Sequence, residues 1–211
     1  MKKLFFLSLF IMAFLTSFGK QKFGIDVGIG IKGGLNFNKV EGQGWKNMYS
    51  TDPHAGFFVH LNKRHVGFQL EALWSQNHII TDTSFKGLYN QYIQNFDDSL
   101  SAGSFRFSTI SLPFLLNLKL AQSLWIQVGP QFNANINVAD ENDIIKSGVN
   151  IINQQSYSAV GGVWIQFGGK APLLRVNLGA RYIAGLNNLN ALTKVQMWKN
   201  QMIQIHLGIS Y

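Results

Sequence analysis

Residues 23–37 read FGIDVGIGIKGGLNF, and in this stretch apolar residues alternate with small or polar ones. A period of two is the signature of a β-strand, because successive side chains of a strand point to opposite faces. One face of this segment carries Phe, Ile, Val and Leu, whereas the other carries Gly, Asp, Lys and Asn. The stretch therefore predicts a strand with one apolar face and one small or polar face.

The same alternation recurs along the rest of the chain. Further apolar faces lie within residues 55–61, 66–74, 110–118, 124–136, 157–167, 174–182 and 203–211. With residues 23–37 these segments make eight predicted strands. Most are long enough to cross a bilayer at a tilt, which takes about 9–11 residues per strand.

Charge decides which face of these strands meets which solvent. A Lys or Arg that faces lipid at the bilayer midplane costs about 2–4 kcal/mol. Arg106 falls on the apolar side, near a strand end, where its side chain can reach the interface. The ionisable residues of the opposite side are Asp26, Lys32, Glu71, Lys119, Arg175 and Arg181. The pattern predicts an all-β fold, an eight-stranded antiparallel transmembrane barrel with its apolar face outward; a soluble sandwich would carry more charges on its outer face.

The predicted connections alternate strictly in length. The long ones span residues 39–53, 76–104, 139–154 and 185–197, and the short ones centre on Lys63, Ala121 and Gly169. Outer-membrane barrels have short periplasmic turns and long extracellular loops. With an even number of strands, both termini are then expected in the periplasm of a Gram-negative cell.

The first residues of the chain have the composition of a secretory signal peptide. Lys2 and Lys3 precede an apolar run, and Ser17 and Gly19 are small residues suited to a cleavage site. The run is shorter than the roughly 20 apolar residues of a membrane-spanning helix. We therefore expect a signal peptide at residues 1–19 and one barrel domain at residues 20–211.

The overall composition excludes several classes of protein. There is no cysteine, so neither disulfides nor a lipid anchor on an N-terminal Cys is expected. The net charge is +8, but the basic residues are scattered singly along the sequence. This distribution argues against a nucleic-acid partner. The basic residues are instead expected to contact the anionic groups of outer-membrane lipid or lipopolysaccharide.

Four stretches carry a likeness to a known family: GIKGGLNFNKV at residues 30–40, STISLPFLLNLKL at 108–120, IQVGPQFNANI at 126–136, and LRVNLGARYIAGLNNLN with IQIHLGISY at 174–190 and 203–211. In these stretches the chain resembles the PorT-like outer-membrane β-barrel family typical of the Bacteroidetes. The resemblance implies the barrel fold and an outer-membrane location. Some members are similar to accessory proteins of type IX secretion. Tyr211 resembles the C-terminal aromatic signal that the outer-membrane assembly machinery reads.

No motif in the chain identifies catalytic or cofactor chemistry. Residues 28–33 match G-x-G-x-x-G, but they lie inside one predicted strand instead of between a strand and a helix, so small residues filling a narrow barrel explain them better. His60 and His65 fit no zinc spacing. No G-x-S-x-G nucleophile elbow is present, although His54, His78 and Asp52 lie near the predicted outer rim. We expect no metal, no cofactor and no enzyme.

The inward ionised residues form the most informative candidate site. Asp26, Lys32, Glu71, Arg175 and Arg181 enter a lumen that, with eight strands, is just wide enough for side chains to fill. Unpaired charges there would be costly, so interlocking salt bridges are expected. The expected neighbours of these charges are Gln69, Gln127, Gln131 and His206. A plugged core is favoured over an ion pathway.

The second long connection carries a helical pattern. In FKGLYNQYIQNF, residues 85–96, apolar residues recur at three- and four-residue steps. They are Phe85, Leu88, Tyr89, Tyr92 and Phe96. This spacing indicates a short amphipathic helix outside the membrane. Its apolar face would either cover the barrel mouth or bind another protein.

Two local expectations follow from residue type. Aromatic residues near strand ends suggest an interfacial girdle at the outer rim. They are Trp74, Phe105, Tyr157, Tyr182 and Trp198. Pro113 lies within a predicted strand and lacks a ladder donor, so a bulge is expected there.

The sequence thus predicts the fold of the protein more firmly than its function. The leading interpretation is a non-enzymatic outer-membrane barrel that serves as an accessory or docking component of a cell-envelope assembly, with protein secretion as one such assembly. A small passive pore or ligand-binding barrel and a lipid-modifying enzyme are the alternatives.

Overall fold

The computed structural model describes residues 25–85, 87, 103–140, 152–168, 174–191 and 197–211. Eight antiparallel strands form one closed barrel in chain order, and the last strand pairs with the first. The strands are β1 (Ile25–Glu41), β2 (Ser50–Lys63), β3 (Val66–Ile80), β4 (Ser104–Lys119), β5 (Leu124–Asp140), β6 (Gln155–Phe167), β7 (Arg175–Gly185) and β8 (Lys199–Ser210). The predicted eight-stranded barrel is confirmed. The predicted signal peptide lies outside the described residues.

The strands run further toward one end of the barrel than the alternation indicated. β2 begins at Ser50 and β4 begins at Ser104, both earlier than their periodic apolar residues. The first long connection is therefore reduced to residues 42–49. The reason is that inward and outward side chains still alternate there, but outward residues such as Thr51, Pro53 and Arg106 are not apolar, so the sequence pattern did not reveal these parts of the strands.

The two ends of the barrel differ in their connections. At the short-turn end, residues 64–65, 120–123 and 168–174 join the strands, and both Ile25 and Ser210 lie there. At the long-loop end, the connections are residues 42–49, 81–103, 141–154 and 186–198. The predicted alternation of long and short links is confirmed.

The wall has an apolar exterior and a polar interior. Outward side chains such as Phe57, Leu70, Phe114 and Leu207 are half or more exposed. The intervening polar residues are buried in the lumen, as the burial pattern of β3 illustrates by alternating at every residue from Val66 to Gln76. Arg106 is exposed on the outer side of the wall, as predicted.

No helix among the described residues is long and apolar enough to cross a membrane.

The bulge expected at Pro113 lies elsewhere. The register between β3 and β4 is the same on both sides of Pro113, with Leu73 opposite Ser111 and Leu70 opposite Phe114. The ladder is interrupted between these pairs without a shift. The register shift occurs instead between β4 and β5 at Ser108 and Thr109. A missing proline donor removes a hydrogen bond without requiring an extra residue, so the prediction of a bulge at Pro113 was wrong.

Two of the predicted girdle aromatics lie inside the barrel. Trp74, Tyr157 and Tyr182 are exposed on the outer wall, whereas Phe105 and Trp198 are 0% and 1% exposed. Phe105 and the lumenal Ser111 lie an even number of positions apart on β4, that is, they have the same parity, so the side chain of Phe105 points inward. Placing these two rings in a lipid-facing girdle was wrong, because parity and not nearness to a strand end decides the face.

Adjacent glycines on β1 provide a test of how closely the strands pack. A Cβ on Gly34 would lie 1.9 Å from the carbonyl oxygen of Ile205 on β8, whereas the nearest atom to a Cβ on Gly33 is 3.5 Å away. We expect Gly34→Ala to lower the free energy of unfolding by about 1–3 kcal/mol, because a backbone shift is needed. Gly33→Ala is the matched control and should fold like the wild type. Urea unfolding and the faster migration of the unheated barrel on gels measure both; equal stability of the two variants would contradict this packing.

Candidate functional site

The centre of the lumen is occupied by one carboxylate between two cations. Glu71 on β3 accepts hydrogen bonds from Lys32 Nζ on β1 at 2.5 Å and from both terminal nitrogens of Arg181 on β7 at 2.6 and 2.8 Å. All three side chains are almost completely shielded from solvent. The bidentate Arg181 contact and the Lys32 contact use both oxygens of Glu71. This central triad joins three strands across the barrel.

A network of amide side chains extends from the central triad. Gln69 Nε2 donates to Glu71 Oε1 at 2.5 Å, and the oxygen of Gln69 accepts from Gln127 at 3.2 Å and from Asn117 at 3.3 Å. Asn117 in turn accepts from Gln127 at 3.0 Å and donates to Asn62. These residues lie on β2, β3, β4 and β5. The carboxylate is therefore coupled by hydrogen bonds to strands that the ion pairs do not reach.

The remaining two predicted lumen charges form a separate pair. Arg175 on β7 donates to Asp26 on β1 at 2.5 Å, and each side chain is about a quarter exposed at the short-turn end. His60 Nε2 lies 3.7 Å from the same carboxylate oxygen, Asp26 Oδ2. The structure thus divides the five predicted residues into a buried triad and a half-buried pair.

The cavities that the described residues line inside the lumen are small. A cavity of about 10 Å³ lies beside Lys32, Gln127 and His206, and one of about 20 Å³ lies toward the long-loop end between Asn77, Gln131 and Asn133. Each holds on the order of one or two water molecules. A layer of buried apolar side chains further fills the lumen. It comprises Leu115, Val160, Ile183 and Met202.

Aromatic rings cover the lumen at the long-loop end. Trp45 lies at the centre of this aromatic cap, with ring centroids 5.3 Å from Phe85, 5.9 Å from Phe105 and 4.9 Å from Trp198. A bridge between Trp45 and Thr81 fixes the loop that carries it. Gly42 has φ 145°, and a Cβ there would meet the Trp198 ring at 2.5 Å, so the cap needs glycine at this position.

Phe85 belongs to this cap and is 4% exposed, so its ring is part of the lumen cover in the described structure. The other residues of the predicted partner-binding helix, Leu88, Tyr89, Tyr92 and Phe96, lie outside the described residues. Sequence reasoning missed the inward role of Trp45. No periodic segment includes Trp45, so no pattern assigned its direction.

A histidine at the rim has the partners of an oriented base. His78 Nδ1 contacts Asp52 Oδ1, its main-chain N–H donates to Asp52 Oδ2 at 2.8 Å, and Arg106 Nε donates to His78 Nε2 at 2.7 Å. The nearby hydroxyl of Ser50 donates to the main-chain oxygen of His78 and to Asp52. Ser50 in this arrangement supports Asp52. His54 lies deeper and is buried, apart from this rim group.

The glycine motif and the histidines are explained by lumen packing. A Cβ on Gly28 would lie 2.4 Å from the His60 ring, and one on Gly30 would lie 2.4 Å from the Phe58 ring. His60 points into the lumen and His65 lies in an exposed turn. Among the residues that the structure describes, no three His, Cys, Asp or Glu side chains form a group that could hold a metal ion.

A model of the family described as "Outer membrane protein beta-barrel domain" matches residues 19–190. The chain belongs to this family. An outer-membrane barrel of this family lies in the bacterial outer membrane, in agreement with the apolar wall and polar lumen. No curated protein matches the chain.

Among solved structures, this outer-membrane barrel is similar to Neisserial surface protein A, at 8% identity and a TM-score of 0.47, with 88% of this chain and 97% of that chain covered. It is also similar to the outer membrane protein OprG from Pseudomonas aeruginosa, at 13% identity and a TM-score of 0.47, with 87% and 95% covered. At such identities the likeness concerns the fold.

The C-terminal residue of the outer-membrane barrel completes the closing seam. The main-chain N–H of Tyr211 donates to the carbonyl of Ile29 at 2.9 Å, and the carbonyl of Tyr211 accepts from Ile29 at 3.1 Å. Its ring is exposed on the wall. Recognition of Tyr211 by the assembly machinery stays a prediction.

The central triad predicts a large asymmetry between two carboxylate deletions. We expect Glu71→Ala to lower the free energy of unfolding by about 3–5 kcal/mol, because it leaves two buried cations without their counter-ion. Asp26→Ala is the matched control, with an expected loss on the order of 1 kcal/mol because water reaches and screens this partly exposed pair. Urea unfolding in detergent measures both variants.

A third variant separates charge imbalance from lost packing. Replacing Lys32, Glu71 and Arg181 together by Met removes all three charges and should recover most of the stability lost in Glu71→Ala. Similar losses for Glu71→Ala and Asp26→Ala would show that the triad is not the central ionic contact.

Proposed function

We propose that this outer-membrane barrel is a non-enzymatic, non-conducting membrane anchor that serves as a docking component for another protein of the cell envelope. The observation that carries the proposal is the filled lumen. The ion pairs, the buried apolar cluster and the aromatic cap together occupy the lumen among the described residues, and the cavities left there are about 10 and 20 Å³. A barrel of this kind acts through its outer surfaces.

The long-loop end offers the contact surface for such a partner. Four large apolar side chains in its connections are 41–62% exposed: Met48, Tyr49, Leu186 and Met197. Exposed apolar and aromatic side chains outside the lipid-facing wall are typical of protein-binding surfaces. Lys39 Nζ lies 5.3 Å from the centre of the Tyr49 ring and adds a cation–π contact beside it.

The assembly that we propose is a protein-secretion complex. The resemblance to the PorT-like family supports this choice, since some of its members are similar to type IX accessory proteins. The even number of strands and the alternating links support an arrangement with both termini in the periplasm and the long-loop end outside the cell.

The contacts of the rim histidine support a non-enzymatic function. A hydrolytic histidine oriented by Asp would offer its far nitrogen to a nucleophile. In this barrel His78 Nε2 accepts from Arg106, and Ser50 hydrogen-bonds to the main chain and to Asp52. A ligand-binding barrel is supported less well, because small-molecule pockets are about 300–1,000 Å³ and the lumen cavities are far smaller.

A closed lumen predicts the absence of ion conduction. We expect the wild-type protein to give no steady single-channel current in planar bilayers. Trp45→Ala should also be silent, because the triad and the apolar layer beneath the cap still fill the barrel. Steady conductance of the wild type would instead favour the pore alternative, and conductance confined to Trp45→Ala would show that the cap is the seal.

Docking through the long-loop end predicts position-specific cross-links in the native cell. We expect a photoreactive residue at position 49 or 197 to capture a component of the secretion machinery, identified by mass spectrometry. Position 120 is the matched control, because Leu120 is at least as exposed as Tyr49 and Met197 but lies at the short-turn end. Deleting residues 86–96 spares Phe85 in the cap and tests the predicted partner-binding helix by itself.

The same experiment separates docking from enzymatic activity. His78→Ala should leave the cross-links intact. Capture of the partner from position 120 but not from positions 49 and 197 would refute docking at the long-loop end.

A further inference from the structure

The tightest turn of the barrel carries a concentration of positive charge. Lys63 ends β2, Arg64 and His65 form the turn to β3, and all three are exposed. The carbonyl of His65 accepts from the main-chain N–H of Lys119 at 2.8 Å, which attaches the turn to the end of β4. Lys119 Nζ lies 5.5 Å from the centre of the Trp125 ring. We call Lys63, Arg64, His65 and Lys119 together the basic turn.

The charge of the basic turn is not compensated nearby. Within the described part of the chain, Asp26 is the acidic residue of the short-turn end, and Arg175 already occupies it at 2.5 Å. The other described acids are Glu71 in the lumen and Glu41, Asp52, Asp82 and Asp140 at the long-loop end. Lys63 and Arg64 therefore have no acidic partner among the described residues.

The basic turn borders directly on the apolar wall. Lys63 pairs with Val66, and the side chains that follow on the wall are large, apolar and exposed. They are Leu61, Val66, Phe68 and Leu118. Cations placed where an apolar wall ends lie at the level of lipid headgroups, with their apolar stems toward the hydrocarbon.

The backbone of Arg64 supplies a second, independent observation. Its φ is 52°, in the left-handed region that Gly, Asn and Asp adopt at least cost. Among the described non-glycine residues it is the one with positive φ. An arginine at this position weakens the turn relative to glycine. An exposed arginine in this costly conformation points to a ligand for its guanidinium.

We propose that the basic turn is a binding site for the phosphate headgroup of an anionic phospholipid in the adjoining membrane leaflet. Lys63 and Arg64 contact the phosphate, and the wall residues Val66 and Phe68 pack along the acyl chains of the same lipid. The Arg64 guanidinium can offer two parallel N–H groups to phosphate oxygens, which suits it to this ligand. The site is independent of the proposed docking surface, which lies at the opposite end of the barrel.

The test compares two lipids with the full-length barrel in detergent. Native mass spectrometry counts bound phosphatidylglycerol and phosphatidylcholine with identical acyl chains, so that headgroup charge is the variable. We expect a preference for phosphatidylglycerol that falls by about five-fold for each of the two cations removed in Lys63→Gln and Arg64→Gly. Arg64→Lys should keep most of the preference.

Two controls distinguish a lipid site from structural or diffuse charge effects. Arg64→Gly should unfold at the same or a higher urea concentration than the wild type, because glycine relieves the backbone, while its lipid preference falls about five-fold. Lys46→Gln removes an exposed cation at the long-loop end and should leave the preference unchanged. Equal binding of the two lipids by the wild type, as expected if the turn met an acidic protein instead, would overturn the proposal. An equal loss in Lys46→Gln would overturn it as well.

Discussion

The barrel depends on how one carboxylate compensates two cations away from water. Glu71 holds Lys32 and Arg181 within hydrogen-bond distance, and the three charges lie where the wall is surrounded by lipid. Removing charges from water costs several kcal/mol per ion, so the contacts must be nearly ideal to repay it. Both oxygens of Glu71 are used, and the amide network adds a further donor from Gln69. The arrangement therefore specifies how β1, β3 and β7 face one another more than it adds net stability.

This constraint extends from the lumen into the wall. Because the ionised side chains point inward, strand alternation directs the intervening residues to lipid, and those residues are apolar. An eight-stranded lumen holds side chains and little else. Bulky inward residues such as His60 and Phe58 consequently lie against glycines, here Gly28 and Gly30 on the adjacent strand. The glycine-rich first strand is thus a consequence of filling the lumen and not a phosphate-binding motif.

The faces of the strands could be predicted from the sequence, because parity alone assigns each residue to lipid or lumen. Which charged side chains pair with one another inside the lumen could not be predicted from the sequence. Glu71 meets Lys32 and Arg181, while Asp26 meets Arg175, because of the stagger between strands, and stagger is set by registers that one sequence does not display. Trp45 lies in a connection without periodicity, so its inward direction had no signal. For Phe105, a preference for aromatics at interfaces was given more weight than parity, and parity was the correct guide.

The two ends of the barrel present different surface residues, although the same strands and the same filled lumen connect them. The long-loop end carries most of the described acids and the exposed apolar side chains of its connections. The short-turn end carries Lys63 and Arg64 beside the wall, and these cations have no acidic partner among the described residues. The proposed protein partner at the long-loop end and the proposed phospholipid at the short-turn end therefore bind at opposite ends of the barrel. The central triad nevertheless connects strands that contribute to both ends, since β1, β3 and β7 each run the length of the wall. Contacts at the two ends are therefore separable by mutation of surface residues, whereas a change at Glu71 acts on both through the stability of the barrel. This difference identifies surface variants, and not lumen variants, as the means of assigning a function to either end.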